Sequence, residues 1–346
     1  MQYKTSVKEV ELLQELKNNP FLLAPMAAIT DSSFRLFMRR QGAGIVTSEL
    51  VSANGLQFNS EKTKALMRFS EEERPVGIQL FGERPQALVE AAQYVEELGA
   101  DFVDLNLGCP VKKVVSKGAG SALLKDPLQL GQILGMIKRA VAIPLTIKIR
   151  TGWDQNTRNA LDVVQVAYNE GVTWVAIHGR TRSQAYNGRA DWDYIAGVKA
   201  NSPLPIIGNG DITSASMALE RLKTSGCDGV MIGRGCLKNP WIFAQCQNLW
   251  KGIDIPVLAD SYMPLFDYLK DVSREHSDER HVTLQLRKLS AWFSSGLPGS
   301  SQFRKDVFTA KGLEETYRVI QNYYSDVNPR LQEDTSHEAF LMGGHG

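Results

Sequence analysis

The stretch FVDLNLGCP, residues 102–110, predicts a short buried strand that runs into a turn. Its first six residues are apolar with polar residues interleaved, and Gly108 and Pro110 then interrupt regular structure. Cys109 therefore lies just past the end of a strand. In parallel α/β proteins, the loops after the carboxyl ends of strands hold the active site. The turn is thus a candidate catalytic element, and the alternative is a buried, inert structural cysteine.

Composition and charge limit the class of protein. The 346 residues are 43% hydrophobic and 22% charged, which is typical of a globular chain with one barrel-sized domain and a smaller one. The net charge of +1 gives no global attraction to nucleic acid or membrane, so any such affinity would be local. The four cysteines lack the spacing of a zinc site or a disulfide framework. We see no signal-peptide core and no membrane-length apolar run, and expect a cytoplasmic protein without metal or membrane partners.

Strand and helix signals alternate in units of about thirty residues, the length of a strand-helix pair. Asp31 is placed to cap a helix over Ser32–Arg40. Other amphipathic segments are Arg84–Leu98, Asp126–Ala140, Thr157–Asn169 and Ser214–Lys223. The predicted strands are Phe21–Ala27, Ile45–Leu50, Val76–Phe81, Phe102–Leu107, Leu145–Arg150, Trp174–His178, Pro205–Gly208 and Gly229–Ile232. Eight such strands predict an α/β fold, a (β/α)8 TIM barrel that forms a catalytic domain over residues 1–250.

The chain changes character after the eighth strand. Over residues 255–325 no strand signal remains and apolar residues recur at helical spacing, which predicts a C-terminal all-α domain with a break at residues 296–299. Acids and bases nearly balance there, although Arg287, Lys288 and Arg304 could form a local basic patch. Residues 326–346 are predicted to be a loosely ordered tail.

Polar side chains interrupt several predicted strands near their carboxyl ends. Gln79, Lys148 and His178 each occupy such a position, where an unpaired polar group would cost about 1–3 kcal/mol. Each alone could be a structural residue that points to solvent. Together with Asn106 they predict a polar ring that faces one ligand at the barrel mouth. A buried lysine favours an electron-rich, partly anionic partner, and a reduced isoalloxazine ring has that character.

Glycines follow the last two strands, in Asn209-Gly210-Asp211 and Gly233-Arg234. Phosphate sites in barrels of this kind use the loops after strands seven and eight, where main-chain N–H groups approach the ligand. Arg234 would add a charge-assisted contact. The two loops predict a phosphate-binding end of the site.

Basic residues crowd the loops that should share this face of the barrel, which indicates a polyanionic partner. The aromatic residues Trp153, Tyr186 and Trp192 interleave with them and could stack on bases or simply pack under loops. The basic residues are Lys112, Lys113, Lys117, Arg150, Arg158, Arg180, Arg182, Arg189, Arg234 and Lys238.

These motifs, in this order, resemble those of the tRNA-dihydrouridine synthases, most closely the bacterial B-type branch. The resemblance spans about residues 20 to 245 and rests on APMA (24–27), NLGCP (106–110), KIRTGW (148–153), HGRTR (178–182), NGD (209–211) and GR (233–234). Ala28 departs from the family, whose members often carry Gly there. The resemblance implies a flavin-bound barrel followed by a helical bundle that docks tRNA.

The resemblance also implies roles for particular residues. Cys109 would be the catalytic proton donor. Asn106 and Arg150 would orient the uracil, and Arg180 and Arg182 would also contact the substrate. The FMN contacts would be Pro25, Met26 and Ala27 through their backbone, Gln79 and Lys148 at the isoalloxazine ring, and His178, Asn209, Gly210, Asp211, Gly233 and Arg234 at the phosphate end.

The predicted reaction is the reduction of uridine to 5,6-dihydrouridine in tRNA, with a hydride to C6 from FMN, a proton to C5 from Cys109, and NADPH as reductant. Because Lys112 and Lys113 lie close in sequence, a nucleophilic Cys109 thiolate stays open at this point. We expect a monomer. Three alternatives are a dihydroorotate-type dehydrogenase of a free pyrimidine, a tRNA-binding module without catalysis, and a flavin-free phosphate-binding barrel isomerase.

Overall fold

A parallel barrel followed by helices makes up the part of the chain that the computed structural model describes, residues 6–58, 60–253, 261–276 and 278–327. Within these residues eight strands form one parallel sheet in the order β1-β8-β7-β6-β5-β4-β3-β2. The strands are β1 (Phe21–Leu23), β2 (Val46–Ser52), β3 (Val76–Phe81), β4 (Phe102–Leu107), β5 (Leu145–Arg150), β6 (Val175–His178), β7 (Ile206–Asn209) and β8 (Gly229–Ile232). The predicted TIM barrel is confirmed.

The barrel closes where β1 meets the start of β2. The main-chain N–H of Leu23 donates to the oxygen of Ile45 at 2.9 Å, and the N–H of Gly44 donates to the oxygen of Phe21 at 2.8 Å. The first strand is shorter than predicted, because the chain turns after Pro25: the oxygen of Met26 accepts from the N–H groups of Ile29 and Thr30.

Helices cover the outside of the barrel, as the amphipathic segments predicted. The Asp31 side chain caps the second helix by accepting from the N–H of Phe34 at 2.9 Å. The helices are α1 (Val7–Asn18), α2 (Ser32–Arg40), α3 (Ala53–Gln57), α4 (Glu61–Ala65), α5 (Pro85–Glu97), α6 (Lys112–Val115), α7 (Pro127–Ala140), α8 (Ala160–Asn169), α9 (Trp192–Ala200), α10 (Ala215–Ser225), α11 (Gly235–Lys238) and α12 (Ile242–Trp250).

The C-terminal region is helical, as predicted, and it shares one apolar core with the barrel. Its helices are α13 (Met263–His276), α14 (Glu279–Phe293), α15 (Ser300–Thr309) and α16 (Gly312–Tyr324). Phe37 of α2 stacks on Tyr268 at 5.9 Å and packs against Phe293 at 6.5 Å, measured between ring centroids. The predicted break at residues 296–299 separates α14 from α15. Of the predicted tail, residues 328–346 lie outside the described residues.

Candidate active site at the barrel mouth

The predicted polar ring is present, because alternate residues of a strand point to the same side of the sheet. The strand register sets Gln79 beside Asp104, Asn106 beside Lys148, and His178 beside both Arg150 and Asn209. These positions lie at or near the carboxyl ends of β3 to β7. The structure therefore brings the residues singled out on separate strands to one mouth.

A chain of side-chain amides runs across the mouth from β3 to the turn after β4. Asn106 Nδ2 donates to Gln79 Oε1 at 2.9 Å, and Gln79 Nε2 donates to Asp104 Oδ2 at 2.6 Å. At its other end, Asn106 Oδ1 accepts from the main-chain N–H groups of Gly108, at 3.2 Å, and of Cys109, at 2.9 Å. The turn that carries the thiol is thus tied to the ring by hydrogen bonds.

Lys148 brings a cation into the mouth. Its Nζ donates to Asn209 Oδ1 at 2.9 Å, and Asn209 in turn donates from Nδ2 to the oxygen of Met231 at 2.7 Å. The two remaining N–H bonds of the ammonium group have no acceptor among the described residues. The pKa of Lys148 is lowered to about 8, mainly by burial and also by the charge of Arg150, while Asp104 opposes the shift. A partner that accepts hydrogen bonds and carries negative charge would suit this group.

Cys109 is a buried thiol with 8% of its surface exposed. Burial raises its pKa, and the main-chain N–H of Val111 and the charge of Arg150 offset only part of that rise. Lys112 and Lys113, whose proximity kept a thiolate open, lie exposed on α6 and are not among these causes. The surroundings therefore favour a neutral thiol, which can give up a proton.

Arg150 holds main chain instead of pointing into solvent. With 2% of its surface exposed, it donates from Nε to the oxygen of Gly108 at 2.8 Å, and from one terminal nitrogen to the oxygens of Thr181 at 2.9 Å and Ala185 at 2.7 Å. It thus connects the Cys109 turn to the loop after β6. Its assignment to the uracil stays a prediction, and no local sequence pattern indicated this bracing.

Arg180 and Asp211 form a two-point ion pair at the far side of the mouth. The two terminal nitrogens of Arg180 donate to the two carboxylate oxygens of Asp211 at 2.7 and 2.9 Å. His178 Nε2 lies 3.3 Å from Arg180. Burial, reinforced by the charges of Arg150 and Lys148, holds the pKa of His178 well below its usual value, so the ring is neutral at pH 7. The phosphate-end roles of these residues stay predictions.

The glycines in the loops after β7 and β8, Gly210 and Gly233, are required for different reasons. At Gly210 φ is +132°, and a Cβ would lie 2.5 Å from the Cβ of Ala190, so packing within the protein already demands glycine there. At Gly233 a Cβ would meet only ordinary contacts, 3.5 Å from Ala24 and 3.7 Å from Met26. Only the second glycine is left to be explained by a close approach of a ligand.

Cations and aromatic rings pair on the rim of the mouth. Lys125 and Arg182 lie over the ring of Trp153, at 3.5 and 4.5 Å from its centroid. Arg234 lies 4.9 Å from the centroid of the Tyr186 ring, which is 44% exposed. Sequence reasoning missed Lys125, because it ends a short helical turn and does not follow a strand.

Trp192, one of the three aromatic residues considered for base stacking, packs inside the protein. It is buried, and its indole N–H donates to the oxygen of Gly210 at 3.0 Å. A cleft of about 400 Å³ lies beside it, on the outer side of the loop after β6, and none of the polar ring residues lines it. We therefore place the site at the mouth.

The hypothesis of a basic patch on the helical region is wrong for two of its three residues. Arg287 is turned inward and donates to Thr316 Oγ1 at 3.1 Å and to the oxygen of Ala310. Lys288 donates to the oxygen of Ala28 in the barrel. Both cations therefore support the fold.

Two further kinds of site are absent from the described residues. None of their helices is long and apolar enough to cross a membrane. Nor does that part of the chain contain a cluster of three or more His, Cys, Asp or Glu side chains that could hold a metal ion.

The fold and the mouth define a (β/α)8-barrel enzyme whose site combines a partly buried cation, a chain of amides and a neutral thiol. A profile described as dihydrouridine synthase (Dus) matches residues 22–328. The chain therefore belongs to the dihydrouridine synthase family, and the predicted resemblance is confirmed.

Named relatives agree over nearly the whole length. The chain is 40% identical over 311 residues to tRNA-dihydrouridine synthase B of Pseudomonas aeruginosa, covering 89% of this chain and 93% of that one. It is 40% identical over 314 residues to the protein of the same name from Pasteurella multocida, covering 90% and 94%. A probable tRNA-dihydrouridine synthase of Rickettsia conorii is 38% identical over 319 residues, covering 90% and 95%. Two of these three names point to the B-type branch.

Solved structures with much lower identity share the fold. Histamine dehydrogenase from Rhizobium sp. 4-9 matches with a TM-score of 0.50 at 14% identity, over 75% of this chain and 49% of that one. An amine oxidase for 6-hydroxypseudooxynicotine from Pseudomonas geniculata matches with a TM-score of 0.51 at 15% identity, over 66% and 48%. At this level of identity the likeness concerns the fold alone.

Proposed function

We propose that this protein reduces uridine to 5,6-dihydrouridine in tRNA, with FMN as cofactor and NADPH as reductant, in the cytoplasm and as a monomer. Family membership and the names of the relatives support the reaction class. The observation that carries the proposal is the pairing, at one barrel mouth, of a partly buried cation, Lys148, with a neutral thiol, Cys109.

The residues at the mouth fit a flavin. Lys148 has two N–H bonds without an acceptor among the described residues, and Gly233 leaves space that a Cβ would fill without any clash inside the protein. Lys148 and Gln79 would hold the isoalloxazine ring, and Pro25, Met26 and Ala27 would contact it through their backbone. The phosphate end would be held by His178, Asn209, Gly210, Asp211, Gly233 and Arg234.

The chemistry requires a hydride at C6 of the uracil and a proton at C5. FMN, when bound and reduced, supplies the hydride. The chain supplies the proton from the Cys109 thiol, which its burial keeps protonated at neutral pH. Asn106 holds the turn of that thiol, and we propose that it also orients the uracil together with Arg150. The protein thus contributes position and a proton.

The substrate must present an unstacked base to this mouth, which costs a few kcal/mol. We propose that rim cations, among them Arg182 and Lys125, offset this cost through contacts to the RNA, with the buried Arg180 behind them, and that the helical region docks the tRNA body. Arg182 and Lys125 already share the ring of Trp153, so the rim offers both charge and an aromatic surface.

The test uses the purified chain loaded with FMN, NADPH and tRNA that lacks dihydrouridine, with the product read by mass spectrometry and mapped by primer extension. Cys109→Ala should lower turnover on tRNA by about a hundredfold or more, the usual contribution of a general acid, while FMN binding and NADPH oxidation persist. Cys227→Ala is the matched control, because Cys227 is a buried thiol just before β8, at the opposite end of the barrel.

Equal turnover by Cys109→Ala and wild type would remove the thiol from the mechanism. A chain that binds no FMN would overturn the proposed cofactor. Reduction of free uridine or orotate at the rate seen on tRNA would favour the dehydrogenase of a free pyrimidine instead.

A further inference from the structure

The amide chain across the mouth ends on groups that cannot change their hydrogen-bonding roles. At one end stand the main-chain N–H groups of Gly108 and Cys109, which only donate. Asn106 must therefore turn Oδ1 toward them and Nδ2 toward Gln79, whose Oε1 accepts. Gln79 is then left with Nε2 at the far end, and that group needs an acceptor.

Asp104 is that acceptor. Its side chain is buried, with 5% of the residue exposed, and each carboxylate oxygen accepts one short hydrogen bond: Oδ2 from Gln79 Nε2 at 2.6 Å, and Oδ1 from the Thr146 hydroxyl at 2.6 Å. Burial raises the pKa of Asp104, and the hydrogen bonds with Gln79 and Thr146 and the charge of Lys148 oppose that rise. Oδ2 accepts from Gln79 whether the carboxyl group is ionised or carries a proton on Oδ1 for the Thr146 hydroxyl, so both ends of the amide chain demand the same direction.

We propose that Asp104 is a positioning residue that fixes the direction of the Gln79–Asn106 amide chain and thereby the geometry of the Cys109 turn. Buried polar networks hold one arrangement when every member is satisfied, and they lose it when one member is not. Asp104 acts on the thiol through two intermediate side chains, without touching it. The effect of Asp104 on turnover rests on the proposed role of Cys109. The hydrogen bonds that link Asp104 to the Cys109 turn do not depend on that role.

The proposal predicts that the direction of the hydrogen bonds in the Gln79–Asn106 amide chain can be reversed as a unit. In Asn106→Asp, a carboxylate stands on each side of Gln79. The amide of Gln79 can donate to only one of them, so its oxygen faces the other carboxylate and two acceptors meet. In the double variant Asp104→Asn with Asn106→Asp, Gln79 can turn over, donate to the new carboxylate at position 106, and accept from the new amide at position 104. The Thr146 hydroxyl would then donate to the oxygen of that amide, and every group is satisfied again.

A second double variant separates direction from charge. Asp104→Leu with Asn106→Asp also has a single carboxylate beside Gln79, but position 104 offers no donor to its oxygen. If the defect of Asn106→Asp comes from repulsion between two carboxylates, both double variants should regain the wild-type melting temperature and alkylation rate. Recovery through the reversed chain would rescue only the one that carries asparagine.

The experiment measures two properties of the full-length chain as purified, without tRNA or NADPH, so that failure of the proposed reaction cannot affect them. The first is the melting temperature. The second is the rate at which iodoacetamide alkylates Cys109, read by peptide mass spectrometry with the three other cysteines as internal references. Because Cys109 is only 8% exposed, a loosened turn should raise this rate.

Asn106→Asp should raise the alkylation rate of Cys109 about tenfold and lower the melting temperature by about 5 °C. Asp104→Asn alone should change both less, because its amide can still accept from Gln79 and donate to Thr146. The double variant with asparagine should return to within about twofold of the wild-type rate, and the double variant with leucine should not.

Two results would overturn the proposal: equal recovery in both double variants, or additive losses in the double variant with asparagine. If Asn106→Asp fails to fold, the double variant with asparagine tests the proposal by itself. It should fold, and its Cys109 should be alkylated slowly. A soluble double variant whose Cys109 reacts fast would contradict the assignment.

Discussion

The side chain of Lys288, in α14, donates a hydrogen bond to the main-chain oxygen of Ala28, in the loop after β1. The main-chain N–H of Ala28 in turn donates to the carboxylate of Glu49, in the middle of β2. One residue of the loop that carries Pro25, Met26 and Ala27 is thus held from both sides, once by the barrel and once by the helical region. The helical region therefore supports the proposed cofactor loop directly.

Replacing Lys288 should loosen this loop. Lys288→Met keeps the length of the side chain and removes a hydrogen bond from a charged donor, which is worth about 1.5–3 kcal/mol. We expect FMN to bind about tenfold more weakly, measured by fluorescence titration, and the melting temperature to fall by several degrees. Lys305→Met, on the exposed surface of α15, is the control and should change neither. Wild-type affinity in Lys288→Met would show that the contact does not support the cofactor loop.

Ala28 adopts φ = 59°, in the left-handed region that favours glycine. This explains why the family often carries Gly at this position. Ala28→Gly should relieve the strain of the side chain, about 1–2 kcal/mol, at a smaller cost in unfolded-state entropy, so the free energy of unfolding should rise by about 0.5–1 kcal/mol. Chemical denaturation measures it.

Ala200→Gly provides the comparison, because Ala200 ends α9 and is not among the residues with positive φ. It should destabilise the protein or leave it unchanged. A loss of stability in Ala28→Gly as large as in Ala200→Gly would show that the left-handed conformation carries no strain.

A substitution at Arg150 can distinguish its support of the main chain from its proposed contact with the substrate. Arg150→Lys keeps a positive charge but cannot reach the oxygens of Gly108, Thr181 and Ala185 at once, since a lysine lacks the planar fork. We expect kcat on tRNA to fall at least tenfold and the Cys109 thiol to alkylate faster in the free enzyme. A rise in KM alone, with normal alkylation, would instead assign Arg150 to the RNA.

The part of this architecture that depends on local pattern was predictable from sequence. Four strands, β3, β4, β5 and β8, match their predicted bounds to the residue, because each is a contiguous buried run with clear punctuation. The polar ring was predictable for the same reason, since the two-residue repeat of a strand decides which side chains face the barrel. The predicted end of β1 was wrong by four residues, because the turn at Met26 is fixed by its hydrogen bonds to Ile29 and Thr30.

Hydrogen-bond partners that lie far apart along the chain could not be predicted from sequence. The oxygens held by Arg150 include that of Gly108, 42 residues away, and Lys288 reaches 260 residues back to Ala28. A basic residue that packs against main chain has the same local signature as one that faces RNA. The local sequence around Arg287 and Lys288 is therefore compatible with a surface patch, and only their contacts in the folded chain exclude it.

The pH dependence of cofactor binding should follow Lys148. Its pKa is lowered to about 8, mainly by burial, so the ammonium form is lost as pH rises through that value. If the cation holds an anionic or electron-rich ligand, FMN affinity should be constant below about pH 7.5 and fall by up to tenfold per pH unit above 8. Lys148→Met should bind FMN more weakly at pH 7 and show no such decline up to pH 9.5, as measured by fluorescence titration.

The same group affects the stability of the cofactor-free protein with the opposite sign. The unfolded lysine keeps a pKa near its ordinary value of 10.5, so between about pH 8 and 10.5 the unfolded state binds more protons than the folded one. Stability contributed by Lys148 therefore rises with pH in that window. Comparing chemical denaturation of wild type and Lys148→Met from pH 7.5 to 9.5 isolates this contribution. A weakening of FMN binding without the matching rise in apo-protein stability would mean that another group titrates near pH 8.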